Sequence, residues 1–157
     1  MSPRAELFEA IGAMLERELG PQSEGKTFRT VRVGQWIPSG PPAPALTVID
    51  AGSKDSERWP GGDGQIQTQE GGTRTLSGEI WLDLPGNWDA GYGAWQDVVE
   101  EIICMLALFR PAGLGVVTSG YTSDDPMTAV LDSGESREVW IISFDVEVSW
   151  AMSGEQE

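Results

Sequence analysis

Between Trp140 and Trp150 the chain alternates, with Ile141 the one apolar residue out of step. Trp140, Ile142, Phe144, Val146, Val148 and Trp150 take every second place, with Ser143, Asp145, Glu147 and Ser149 between them. Successive side chains of a strand point to opposite faces. This segment is therefore a strand with one face in a core and the other wet and acidic. It belongs to a sheet that is covered on one side and open on the other.

Two helices can supply the cover. The spacing predicts the first over residues 2–20. Ser2 is a capping type, Pro3 suits the first turn, and Gly20-Pro21 is a stop. Leu7, Ile11, Met14, Leu15 and Leu19 fall on one face, with Glu6, Glu9, Glu16, Arg17 and Glu18 elsewhere. The second helix spans 90–109, capped by Asp89 and closed by Arg110-Pro111. Its Trp95, Val98, Val99, Ile102, Ile103, Leu106 and Phe109 form a wide apolar face. Met105 and Leu108 widen it beyond the need of one sheet face. A helix of this kind is buried centrally or packs on a neighbouring subunit. Cys104, in the same run, reads as a small core residue.

The other strands are expected at 27–37, 45–51, 65–70, 73–84, 114–118, 127–132 and 137–152. Residues 38–42, Pro-Ser-Gly-Pro-Pro, break the chain, and Gly71-Gly72 reads as a hairpin turn. In the arm 73–84, Leu76, Ile80, Leu82 and Leu84 point one way and Glu79, Trp81 and Asp83 the other. Residues 52–64 have no apolar period and read as a mobile excursion carrying Trp59; residues 151–157 read as a flexible tail. The links between strands are mostly turns, too short for parallel crossovers. The expected fold is α+β, an antiparallel sheet with two helices packed on one face, in a single domain over 1–157.

Composition narrows the function. With no histidine and one cysteine, His-dependent triads, His-ligated metals, internal disulfides and Cys-cluster metal sites are excluded. Twenty-five acidic residues against ten basic ones give a net charge of −15, the wrong sign for gripping DNA or an anionic membrane. Residues 121–157 alone hold nine acids and one base, Arg137. The adjacent pairs Asp124-Asp125 and Glu100-Glu101 lie in no metal or acid–base motif and read as solvated charges. No run of about 18 apolar residues or secretory leader is present, so the chain is expected to fold in a reducing cytoplasm. No catalytic residue, cofactor or metal is expected, and the protein reads as a non-enzyme.

Of seven tryptophans, Trp95, Trp140 and Trp150 fall on core faces. Trp36, Trp59, Trp81 and Trp88 lie on loops or the opposite face and are the candidates for a partner or subunit interface.

Several segments together resemble the tail terminators of tailed bacteriophages, the lambda gpU-like tail-completion family. They are the opening helix 4–19, the proline-punctuated Pro41-Pro42-Ala43-Pro44, and TRTLSGEIWLDL leading into AWQDVVEEIICMLALF. The last is the alternating strand EVWIISFDVEVSW. The resemblance covers nearly the whole chain and carries no catalytic signature. It implies a structural virion protein of the tail and neck, assembled in the host bacterial cytoplasm. Copies would form a hexameric ring on the tail tube, stop its polymerisation and offer a docking face for the neck or connector protein. DNA would pass through without specific binding. The wet-face carboxylates Glu79, Asp83, Asp145 and Glu147 are then the candidates to face the channel, and residues 52–64 would order on docking to the tube. Two alternatives stay open: another neck, connector or tube-like component of the same particle, and a small monomeric ligand-binding domain using its exposed tryptophans.

Overall fold

The computed structural model describes residues 2–23, 27–37, 43–55, 74–83 and 88–149. The chain order is α1 (Pro3–Leu19), β1 (Thr30–Val33), β2 (Ala45–Asp55), β3 (Arg74–Asp83), α2 (Trp88–Ala107), β4 (Val116–Val130) and β5 (Ser136–Val148). The strands form one sheet in the order β1-β2-β3-β5-β4. The fold is α+β, and every neighbouring pair is antiparallel except β1 and β2. That parallel pair corrects the expectation of a sheet antiparallel throughout. β1 has only four residues, so the short stretch 34–44 carries the chain back to its start.

α1 begins where Ser2 Oγ accepts the Ala5 N–H at 3.1 Å. It ends at Gly20, where a β-carbon would meet the Glu16 carbonyl oxygen at 2.6 Å. Replacing Ser2 by Ala should cost about 1 kcal/mol, read as a lower urea midpoint with an unchanged slope. Leu7, Phe8, Ile11, Leu15 and Leu19 of α1 share one core with Val99, Ile102 and Leu106 of α2. The sheet supplies Leu46, Val48, Leu76, Ile80, Leu82, Ile142, Phe144, Val146 and Val148 to the same core. Both helices therefore lie on one face, α1 over β1 and β2 and α2 over β4 and β5.

The N-terminus of α1 is pinned to the sheet. Arg4 donates two hydrogen bonds of 2.6 Å to the Asp50 carboxylate. Those bonds hold the Asp50 carboxyl below its ordinary pKa. The β2 ladder shifts register between Asp50 and Gly52, and Gly52 takes a φ of +113°, which a side chain would strain.

Several expectations are corrected. β2 runs to Asp55, so residues 52–55 are sheet, pairing with Arg74–Ser77 of β3, and not an excursion. Residues 56–64 lie outside the described residues, as do 38–42, 65–70, Gly71-Gly72, Leu84, Trp150 and 151–157. Residues 74–83 have β2 on one edge and β5 on the other. The expected short strands at 114–118 and 127–132 are one strand, β4, paired to β5 along its length. The first expected strand shrinks to Thr30–Val33. α2 starts at Trp88, so Asp89 is inside the helix. Cys104 is exposed and not a core residue.

Candidate functional site

The helix-free face of the sheet follows from the alternation of β3 and β5. Thr75, Ser77, Glu79, Trp81 and Asp83 of β3 lie there beside Glu147, Asp145, Ser143, Ile141 and Val139 of β5. The face has two halves of different chemistry.

One half is hydroxyl and carboxylate. Ser77 Oγ donates to Asp145 Oδ1 at 2.8 Å, across the strand pair that the register sets opposite. Thr118 Oγ1 of β4 donates to Glu147 Oε1 at 3.1 Å. Glu79 accepts the Trp81 indole N–H at 2.9 Å. Glu79, Asp145 and Glu147 are half-buried. Three of the four expected channel carboxylates thus share one face of the sheet without being sealed in.

The other half is aromatic and aliphatic. Residues 34–37 leave β1 and cross onto this face, where the Trp36 ring meets Trp81 with centroids 5.7 Å apart. The Trp36 N–H donates to both carboxylate oxygens of Asp83 at 2.9 Å. Asp83 is fully buried, with Arg137 at 3.7 Å. The expectation that Asp83 faces a channel is therefore wrong: its own chain covers it. Burial pushes its pKa above the ordinary carboxylate value, while the Trp36 hydrogen bond and the Arg137 charge pull it back down. Trp36 and Trp81 are half-buried partners of one another, and the placements of Trp59 and of the Trp88 side chain lie outside the described residues.

No protein-family model matches the chain, and no curated protein matches it.

The paired carboxylates do not converge. Asp124 accepts the Trp140 indole N–H at 2.8 Å, on the side of the sheet that carries the helices. Asp125 stands opposite Ile141 on the other side. Among the described residues no group of three His, Cys, Asp or Glu side chains is placed to hold a metal ion, and no helix is long and apolar enough to cross a membrane. Two grooves flank α1. One of about 320 Å³ lies against β1, lined by Glu9, Gly12, Glu16 and Val33. The other, about 400 Å³, runs between α1 and the end of α2, lined by Met14, Arg17, Leu108 and Arg110.

Sequence reasoning missed the exposed apolar side chains of β4. Val117, Tyr121, Met127 and Val130 are 45%, 44%, 40% and 65% exposed. They are spread among Gly, Ser, Thr and Asp, so no periodic signal marks them. Leu108, 80% exposed, was visible as the surplus on α2.

Proposed function

We propose that the protein is a tail-terminator subunit of a tailed bacteriophage, a non-enzymatic ring component that caps the tail tube and gives the neck a docking face. The observation that carries this reading is the acidic half of the helix-free face. Glu79, Asp145 and Glu147 share one face of the sheet, where no described helix packs, and the Trp81 indole and the Ser77 and Thr118 hydroxyls donate to them. Turned toward a bore, that surface repels a passing polyanion instead of binding it. The net charge of −15 and the surplus apolar area at Leu108 and along β4 fit the same reading. The small-ligand alternative is weaker, because Trp36 and Trp81 are occupied with each other and with Asp83 and Glu79.

Added to polymerising tail-tube subunits, the protein should stop growth and leave short tubes with extra density at one end in electron micrographs. Tubes that lengthen as before, with bare ends, would overturn the reading. Reversing Asp145 and Glu147 to Lys should slow DNA delivery from assembled particles while leaving the capping intact. Unchanged infectivity of that double variant would remove these residues from the bore.

A further inference from the structure

Among the described residues both outer edges of the sheet lack a partner strand, β4 on one side and β1 on the other. A bare edge offers unpaired N–H and C=O groups to another chain. β4 is protected over only part of its length. Ladder irregularities at Val116/Thr118 and Tyr121/Ser123 interrupt its first half, and Pro126 lacks an N–H. Beyond Pro126, residues 127–130 run in regular register with β5, and β1 is likewise four residues long. Among the described residues four of the five exposed large apolar side chains lie on β4, with Met127 and Val130 in that regular stretch.

The two edges differ in charge. Residues 111–136 carry Asp124, Asp125, Asp132 and Glu135 and no Lys or Arg. Residues 27–37 carry Arg29 and Arg32 and no acid. In a chain with more than twice as many acids as bases, segment 27–37 is a local exception, with Glu9 and Glu16 of α1 across the groove beside it.

We infer that the β4 edge of one copy docks along the β1 edge of another, residues 127–130 beside Thr30–Val33. The inference rests on the ring reading above and assigns its contact surface. Pairing β4 with β4 about a two-fold axis would bring Asp125 and Asp132 of both copies together, and like charges across strands are destabilising. Pairing β4 with β1 brings the segment bounded by Asp125 and Asp132 beside the one holding Arg29 and Arg32, and sets Met127 and Val130 beside the docked strand. The contact is head-to-tail, so each copy keeps one free edge of each kind. Such a contact either closes into a ring or runs on as a filament.

The test is self-association of the full chain by size-exclusion light scattering, with two charge reversals. One variant carries Asp125→Arg and Asp132→Arg; the other carries Arg29→Glu and Arg32→Glu. Asp124 is left alone because it holds Trp140. Wild type should assemble, and each variant alone should weaken assembly by at least ~10-fold. An equimolar mixture should regain it, because every β4–β1 contact in an alternating assembly is again between opposite charges. Raised salt should weaken the wild-type assembly, a readout that needs no variant. A solitary wild type, an association indifferent to salt, or a mixture that stays dissociated would overturn the inference. Tube capping separates the two readings. Capping by a protein whose reversals change nothing keeps the terminator and removes this interface; charge-swapped assembly without capping does the reverse.

Discussion

Gly78→Ala should destabilise the protein by about 3 kcal/mol, the upper end for overpacking a core. Gly78 lies mid-strand in β3, on the face that carries the helices. A β-carbon built there meets the Phe144 ring, with Cε1 at 2.8 Å, and Phe8 Cε1 at 2.9 Å. Phe8 and Phe144 are themselves in contact, with centroids 6.3 Å apart. The missing side chain is the space into which Phe8 of α1 and Phe144 of β5 pack. Neither ring can swing clear, since Phe8 is 3% and Phe144 1% exposed. Urea unfolding should show a lower midpoint at constant slope. Adding Phe144→Leu should recover part of the loss, because the shorter side chain returns the space that alanine takes. A double-mutant cycle would show the two changes less than additive. A Gly78→Ala variant as stable as wild type would mean that the α1–sheet packing described here is wrong.

The same packing shows what the sequence could reveal. α1, α2 and β5 were legible because each buries one face and leaves another wet, which writes a period of 3.6 or 2 into the residues. Their observed limits differ from the expected ones by a few residues at most. β4 was not legible as one strand. It lies at the edge of the sheet with most of its side chains in water, so Val116–Val130 has no apolar period to read. Its course is set by the ladder to β5, which no local window contains. β1 was over-extended because Gln35, Trp36 and Ile37 look like strand. In the structure they cross to the helix-free face, drawn by Trp81 and Asp83.

For the candidate site, alternation placed Glu79, Asp83, Asp145 and Glu147 on the correct face and could say nothing of what covers them. Asp83 is sealed by Trp36, 47 residues earlier in the chain, and approached by Arg137, far later. Long-range cover of this kind leaves no trace in spacing. Asp145 and Glu147 accept from hydroxyl neighbours, Glu79 accepts from the Trp81 indole, and all three are half-buried where Asp83 is sealed.

Asp83→Ala should cost about 3 kcal/mol, because it strands the Trp36 N–H and removes the carboxylate beside a mostly buried Arg137. Asp83→Asn separates the charge from the hydrogen bond, since its carbonyl oxygen still accepts from Trp36. Burial raises the Asp83 pKa in the folded protein above the 3.8 of a free carboxyl. A group that holds its proton more tightly when folded stabilises fully below its unfolded value. That contribution fades as pH rises through the folded value. Stability should therefore fall between about pH 4 and the raised folded pKa, and Asp83→Asn should flatten that slope. Asp50 has the opposite sign. Arg4 lowers its pKa, so its contribution is present above the unfolded value and is lost as pH falls through the folded one. The two carboxyls thus act on opposite sides of the ordinary value, and the Asn variant isolates the upper one. Urea midpoints across pH, with tryptophan fluorescence as a second probe, read both effects. Identical pH slopes for wild type and Asp83→Asn would show that Asp83 titrates as a solvated carboxyl. The Trp36 clasp would then be too loose to hold this end of the sheet closed.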